Sequence, residues 1–186
     1  MAEVKILGIA GSLRRDSYNK ALLRQAGQLL PPGSTLDTFD LEGIPVYNQD
    51  NDPSPPPRVQ ELRRMVRAAD ALLFVTPEHN FSVPAALKNV IDWLSRPLGE
   101  NAWAGKPAAI MGASYGRIAT ARAQAHLRQI FSYIDIHPIN KPIVMIGEAA
   151  QAFDAQGSLK DDKARELVRQ LLESLVAWTQ RLQGKG

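Results

Sequence analysis

Three loops of this chain gather residue types that do chemistry. The first, Gly11-Ser12-Leu13-Arg14-Arg15-Asp16-Ser17-Tyr18-Asn19, follows the apolar run VKILGIA. Holding a phosphate takes hydroxyl and backbone donors, a positive charge and a helix N-terminus, whose first N–H groups have no partner in the helix. Ser12 and Ser17 supply hydroxyls, Arg14 the charge and Asn19 an amide, and Ser17 or Tyr18 opens the helix. The segment is neither G-x-G-x-x-G nor a G-K-[ST] triphosphate loop. Ile9-Ala10 lacks the acidic pair of a phosphate-accepting response regulator. It suits a monophosphate. The same residues also make an ordinary turn, with Ser17 as helix cap and the arginines solvated.

The second loop, Thr76-Pro77-Glu78-His79-Asn80-Phe81-Ser82-Val83-Pro84, is stiffened by two prolines. Its amides suit the hydrogen-bonding edge of a flavin ring, with Asn80 and the amides near Glu78 and His79 as natural donors. A plain connection with Asn80 in a local turn is the alternative. Most histidines are structural or solvated, so His79 receives no catalytic role. The third loop, Gly112-Ala113-Ser114-Tyr115-Gly116-Arg117, matches the G-x-S-x-G nucleophile elbow. A serine hydrolase needs a well-separated late histidine. The histidines beyond Ser114 are His126 and His137, and residues 138–186 hold none, which makes that reading remote. Gly116 permits close backbone approach of a ligand, and Arg117 is a candidate contact for an anionic substrate or a dinucleotide phosphate.

These loops need a frame, and the hydrophobic pattern supplies one. Val4 to Ala10, Leu36 to Leu41, Ala71 to Thr76, Ala108 to Ala113 and Ile143 to Ile146 read as strands. Helices are predicted over Tyr18 to Leu30, Arg58 to Ala69, Pro84 to Ser95, Ile118 to Tyr133 and Asp161 to Leu182, the last with Leu167, Leu171, Leu172, Leu175 and Leu182 facing inward. Residues 43–57 form a long proline-rich connection and 148–158 a polar loop. Strict alternation predicts an α/β fold, a parallel sheet covered on both faces in the flavodoxin-like order 2-1-3-4-5. Ligands of such sheets bind beyond the carboxyl ends of the strands, where the order reverses, and that gathers the three loops.

With 186 residues, 45% apolar and 22% charged, the chain suits one packed domain, 1–186. The absence of cysteine excludes disulfides and thiolate metal sites and fits a reducing compartment. No run reaches the roughly 20 apolar residues of a membrane helix, and MAEVKILGIAGS lacks a secretory pattern, so a cytoplasmic location is expected. The net charge of +3 is scattered along segments such as RVQELRRMVR, which argues against nucleic acid and mildly favours anionic ligands.

Taken together, GSLRRDSYN and PEHNFSVPAALKNVIDWLSR resemble the G-S-x-R-x-x-S-x-N and P-E-Y-N-x-S-x-P-x-x-L-K-N-x-I-D-W segments of the NADPH-dependent FMN reductases, the flavodoxin-like NAD(P)H:quinone and chromate reductases. The likeness extends through IPVYNQD, AGKPAAIMGAS and ARAQAHLRQIF. The resemblance implies FMN as cofactor, with Ser12, Arg14, Ser17 and Asn19 on its phosphate and Tyr18 nearby. Pro77, Glu78, His79, Asn80 and Phe81 would line the isoalloxazine and ribityl, and Ser114, Tyr115 and Gly116 the pyrimidine side. It implies ping-pong transfer of two electrons from NADPH or NADH through the flavin to small-molecule acceptors: quinones, chromate, azo or nitro compounds, or free flavin. No protein acid or base is obligatory. A homodimer or homotetramer is implied too, with Tyr47 and Asn48 candidates for reaching a neighbour's site. His79 stands where the family usually has tyrosine, Arg117 and Thr120 where it often has glycines, and Ala125 where tyrosine is frequent. A non-catalytic FMN-binding carrier or sensor is the second reading. Carriers tend to be acidic and wall the flavin with aromatics, and this chain is basic.

Overall fold

A computed structural model describes residues 3–184. Strand β1 (Val4–Ala10) leads to helix α1 (Tyr18–Gln28) and β2 (Ser34–Phe39). Then come α2 (Pro57–Ala68), β3 (Ala71–Val75), α3 (Ala85–Leu94), β4 (Pro107–Ala113) and α4 (Ala121–Tyr133). Two short strands, β5 (His137–Pro138) and β6 (Val144–Ile146), a single turn α5 (Ala149–Ala152) and the long α6 (Asp162–Leu182) complete it. The sheet is parallel in the order β2-β1-β3-β4-β5, with β6 also on β4.

Period-two alternation builds the layers. Ile6, Leu73, Val75, Ala109 and Met111 point into one core under α1 and α6. Leu7, Ile9, Leu72, Phe74, Ala108 and Ile110 point into another under α2, α3 and α4. All five residues of β3 are fully buried, each larger side chain contributing roughly 1.5–3 kcal/mol.

The fifth column of the sheet is divided. β5 pairs with Pro107-Ala108 and β6 with Met111 to Ala113, so two short segments occupy the place of the one expected strand. Pro138 and Pro142 lack the N–H a continuous ladder needs, and Ile143 is left 45% exposed. The predicted inner face of α6 is corrected as well. Leu167 and Leu182 are exposed, and the buried stripe is Val168, Leu171, Leu172, Leu175 and Thr179. The polar loop over 148–158 contains α5.

The proline-rich connection is anchored on α3. Asn89 Oδ1 accepts from Tyr47 N at 2.8 Å, while Asn89 Nδ2 and Trp93 Nε1 donate to Pro45 O at 2.9 and 2.8 Å. The Tyr47 ring meets Trp93 edge-on at 5.0 Å.

Candidate active site

The carboxyl ends of β1, β3 and β4 converge on one cavity. At their base Gly112 permits a close approach that no other residue allows, since a Cβ there would lie 2.1 Å from Thr76 O. The loops are tied to one another rather than only to their own elements. Asn19 Nδ2 donates to Ala113 O, and Ala113 N donates back to Asn19 Oδ1, both at 2.9 Å. Gly11 N donates to Val75 O at 2.8 Å, and Ser114 N to Ile146 O at 3.0 Å. This pins the start of α1 against the end of β4.

The cavity measures about 510 Å³, inside the roughly 300–1,000 Å³ range of small-molecule sites. Of the predicted residues, Ser12, Arg14, Ser17, Tyr18, Asn19, Pro77, Glu78, His79, Ser114 and Tyr115 line it, joined by Leu13 and by Pro84, Ala85 and Ala86 at the start of α3. Asn80, Phe81 and Gly116 are not among its walls. At the first loop, Ser17 caps α1, its Oγ accepting from Asn19 N at 3.2 Å and Lys20 N at 3.4 Å. The cap leaves the hydroxyl proton available. Among the described residues, the backbone N–H groups of residues 12–17 donate to no protein acceptor. The helix-cap and anion-cradle readings of this loop are therefore compatible. The Asn19 amide is held by Ala113, so only its second N–H is left for another partner.

The second loop turns on two residues. His79 N donates to Ser82 O at 3.1 Å and Ser82 N to His79 O at 2.9 Å. Asn80 and Phe81 between them have φ of 49° and 63°, the paired left-handed conformation of a tight hairpin turn. This geometry swings the Phe81 ring away from the cavity to 65% exposure, with the Arg122 guanidinium 3.7 Å from its centroid. Glu78 also does more than was foreseen. Thr120 makes no side-chain cap for α4. The Glu78 carboxylate does so instead, accepting from Arg122 N at 2.9 Å, Ala123 N at 3.1 Å and Arg122 Nη1 at 2.8 Å. Burial pushes this carboxyl's pKa up, but the Ala123 N–H and the Arg122 guanidinium and N–H together hold it below the usual glutamate value. Ser82 Oγ lies 2.9 Å from His126 Nδ1. Arg122 and His126, assigned no part in the site from sequence, are the second loop's anchors.

The third loop closes the mouth. Arg14 Nη1 donates to Tyr115 Oη at 2.6 Å. Tyr115 meets Tyr18 edge-on at 5.5 Å, and Tyr18 stacks on Phe153 at 5.3 Å. Phe153 lies in a loop that gave no sequence signal. Among the described residues no histidine is hydrogen-bonded to Ser114: His126 is engaged by Ser82, and His137 pairs with Asp135 at the opposite end of β4. The elbow motif is a loop without a triad. Among the described residues no helix is long and apolar enough to cross a membrane.

The family model for NADPH-dependent FMN reductase matches residues 4–151. An NAD(P)H-dependent FMN reductase of Pseudomonas aeruginosa is 56% identical over 183 residues, covering 98% of each chain. A 2-hydroxy-1,4-benzoquinone reductase of Burkholderia sp. is 41% identical, over 94% of this chain and 96% of its own. Among solved structures, the flavoenzyme NAD(P)H:(acceptor) oxidoreductase FerB of Paracoccus denitrificans superposes with a TM-score of 0.88 at 34% identity, over 96% of this chain and 98% of its own. The chain belongs to the family of NADPH-dependent FMN reductases.

Proposed function

We propose that this NAD(P)H oxidoreductase, with FMN as cofactor, delivers electrons to quinones from one flavin-binding domain spanning the chain. Chromate, azo and nitro compounds and free flavin are further acceptors of the same site. The observation that carries the reading is the meeting of a donor-rich helix start with an apolar-walled cavity at the switch point of the sheet. The residues suit FMN. Ser12, Arg14, Ser17 and the unpaired N–H groups of residues 12–17 hold the phosphate, and Asn19 fixes the loop that carries them. Leu13, Pro84, Ala85 and Ala86 give a flat ring an apolar seat, and Pro77, Glu78 and His79 hold its edge. Tyr18 and Tyr115 flank the phosphate end.

FMN supplies the two-electron relay between NAD(P)H and acceptor. The protein's part is to orient the ring, leave one face open to both substrates in turn, and keep the cradle rigid through Asn19 and Glu78. No side chain at the cavity is placed as an obligatory acid or base. Names borne by relatives, such as 2-hydroxy-1,4-benzoquinone reductase, support quinones as the acceptor class. We place the protein in the cytoplasm, as a homodimer or homotetramer. A cavity of about 650 Å³ between α3 and α4, bearing Lys88, Asp92 and Arg96 beside Tyr133 at 86% exposure, suits a two-fold self-complementary contact.

The test is an anaerobic visible spectrum of the purified protein before and after NADPH. It should show oxidised flavin bleached by NADPH and restored by a quinone, with parallel double-reciprocal lines in steady state. A protein that takes up no FMN, or holds FMN that NADPH does not reduce, refutes the proposal.

A further inference from the structure

Arg14 and Tyr115 are 101 residues apart and come from different loops, yet the guanidinium donates to the phenol oxygen at 2.6 Å. Arg14 makes no ion pair among the described residues. Tyr115 is 61% exposed, so burial does not account for its position. What holds it is an aromatic prop: its ring edge on Tyr18 at 5.5 Å, and Tyr18 in turn on Phe153 at 5.3 Å. A free arginine carries about 2 kcal/mol of rotamer entropy, which binding an anion must overcome. Tethering one N–H group to a propped hydroxyl removes part of that cost in advance and leaves the other guanidinium donors of a residue that lines the cavity without a protein acceptor among the described residues.

We infer that Tyr115 is a positioning residue for the anion end of the cavity: its hydroxyl holds Arg14 in place and so sets how strongly the protein prefers a flavin bearing a terminal phosphate over the same ring without one. This rests on the proposed FMN site and goes beyond it, since the family resemblance implied a place for Tyr115 at the ring's pyrimidine side rather than at the phosphate.

The experiment is equilibrium dialysis of the full-length apoprotein against FMN and against riboflavin, which share a ring and differ in the phosphate. Wild type, Tyr115→Phe, Arg14→Gln and the double variant are compared. Phenylalanine keeps the ring against Tyr18 and removes only the hydroxyl. Tyr115→Phe should raise the FMN dissociation constant about fivefold to tenfold, the scale of one ordinary net hydrogen bond, and leave riboflavin within about twofold. In the Arg14→Gln background it should change neither. Equal weakening of both ligands makes Tyr115 a ring wall and overturns the inference, as does an unchanged FMN constant or an undiminished effect in the Arg14→Gln background. If wild type itself binds riboflavin as tightly as FMN, the phosphate site fails, and the inference with it.

Discussion

Replacing Glu78 with alanine, which removes both acceptor oxygens, tests whether one carboxylate holds the second loop to α4. The native carboxylate caps two backbone N–H groups at the start of α4 and pairs with Arg122. A helix cap contributes about 0.5–2 kcal/mol. The Arg122 pair adds at most about 1 kcal/mol, because the guanidinium is 35% exposed and screened. The side chain of Glu78 is only 7% exposed, so water does not replace the lost acceptor. A loss of about 2–3 kcal/mol follows, which for a domain of this size lowers the melting temperature by about 5–10 °C. The pH dependence has a definite sign. The folded-state carboxyl is held below its unfolded value, so its contribution is complete above the ordinary glutamate range and is lost as pH falls through the folded value. Thermal melts of both apoproteins from pH 8 to about pH 3 should show a constant gap down to about pH 5 and a narrowing gap below. A gap as wide at about pH 3 as at pH 7, or none at pH 7, refutes the assignment of Glu78 as the cap.

Four further outcomes are expected. Asn19→Ala leaves the Ala113 N–H and C=O unpaired in a buried place and should cost about 2–4 kcal/mol in urea unfolding, with weaker flavin uptake. Gly112→Ala drives a Cβ to 2.1 Å from Thr76 O and should cost at least about 3 kcal/mol or abolish soluble expression. Gly116→Ala, with open space around it, should stay within about 0.5 kcal/mol of wild type in the same assay. Asn80→Ala puts a residue with no local polar support at φ 49° and should cost about 1 kcal/mol, read by the urea midpoint.

The buried strands announced themselves because apolar runs such as ALLFV and AAIMGA have no other soluble use, and their alternation with helices fixed the sheet order. The donor-rich loop that opens α1 and lines the cavity stood out because hydroxyls, arginine and a helix start lie within nine consecutive residues. Other features arise from contacts the sequence does not index. Glu78 finds α4 across 44 positions, and Asn19 finds Ala113 across 94. The swing of Phe81 out of the cavity depends on two consecutive left-handed residues, an arrangement for which glycine, not phenylalanine, is the usual sign. On α6, the apolar residues Leu167 and Val168 are adjacent, and the spacing of three, four and seven to Leu171, Leu172 and Leu175 belongs to Val168. Packing against the sheet selects Val168.

The divided fifth column also bears on how the protein behaves when crowded. An edge strand invites a foreign strand to add to it, and the invitation grows with the length of unbroken N–H and C=O groups on offer. Here that edge presents segments of two and three residues with prolines at 138 and 142, too broken to template a cross-chain ladder. β2, at the opposite margin, carries the exposed charge of Asp37 in mid-strand. Both margins of the sheet are thus poorly suited to adding a foreign strand.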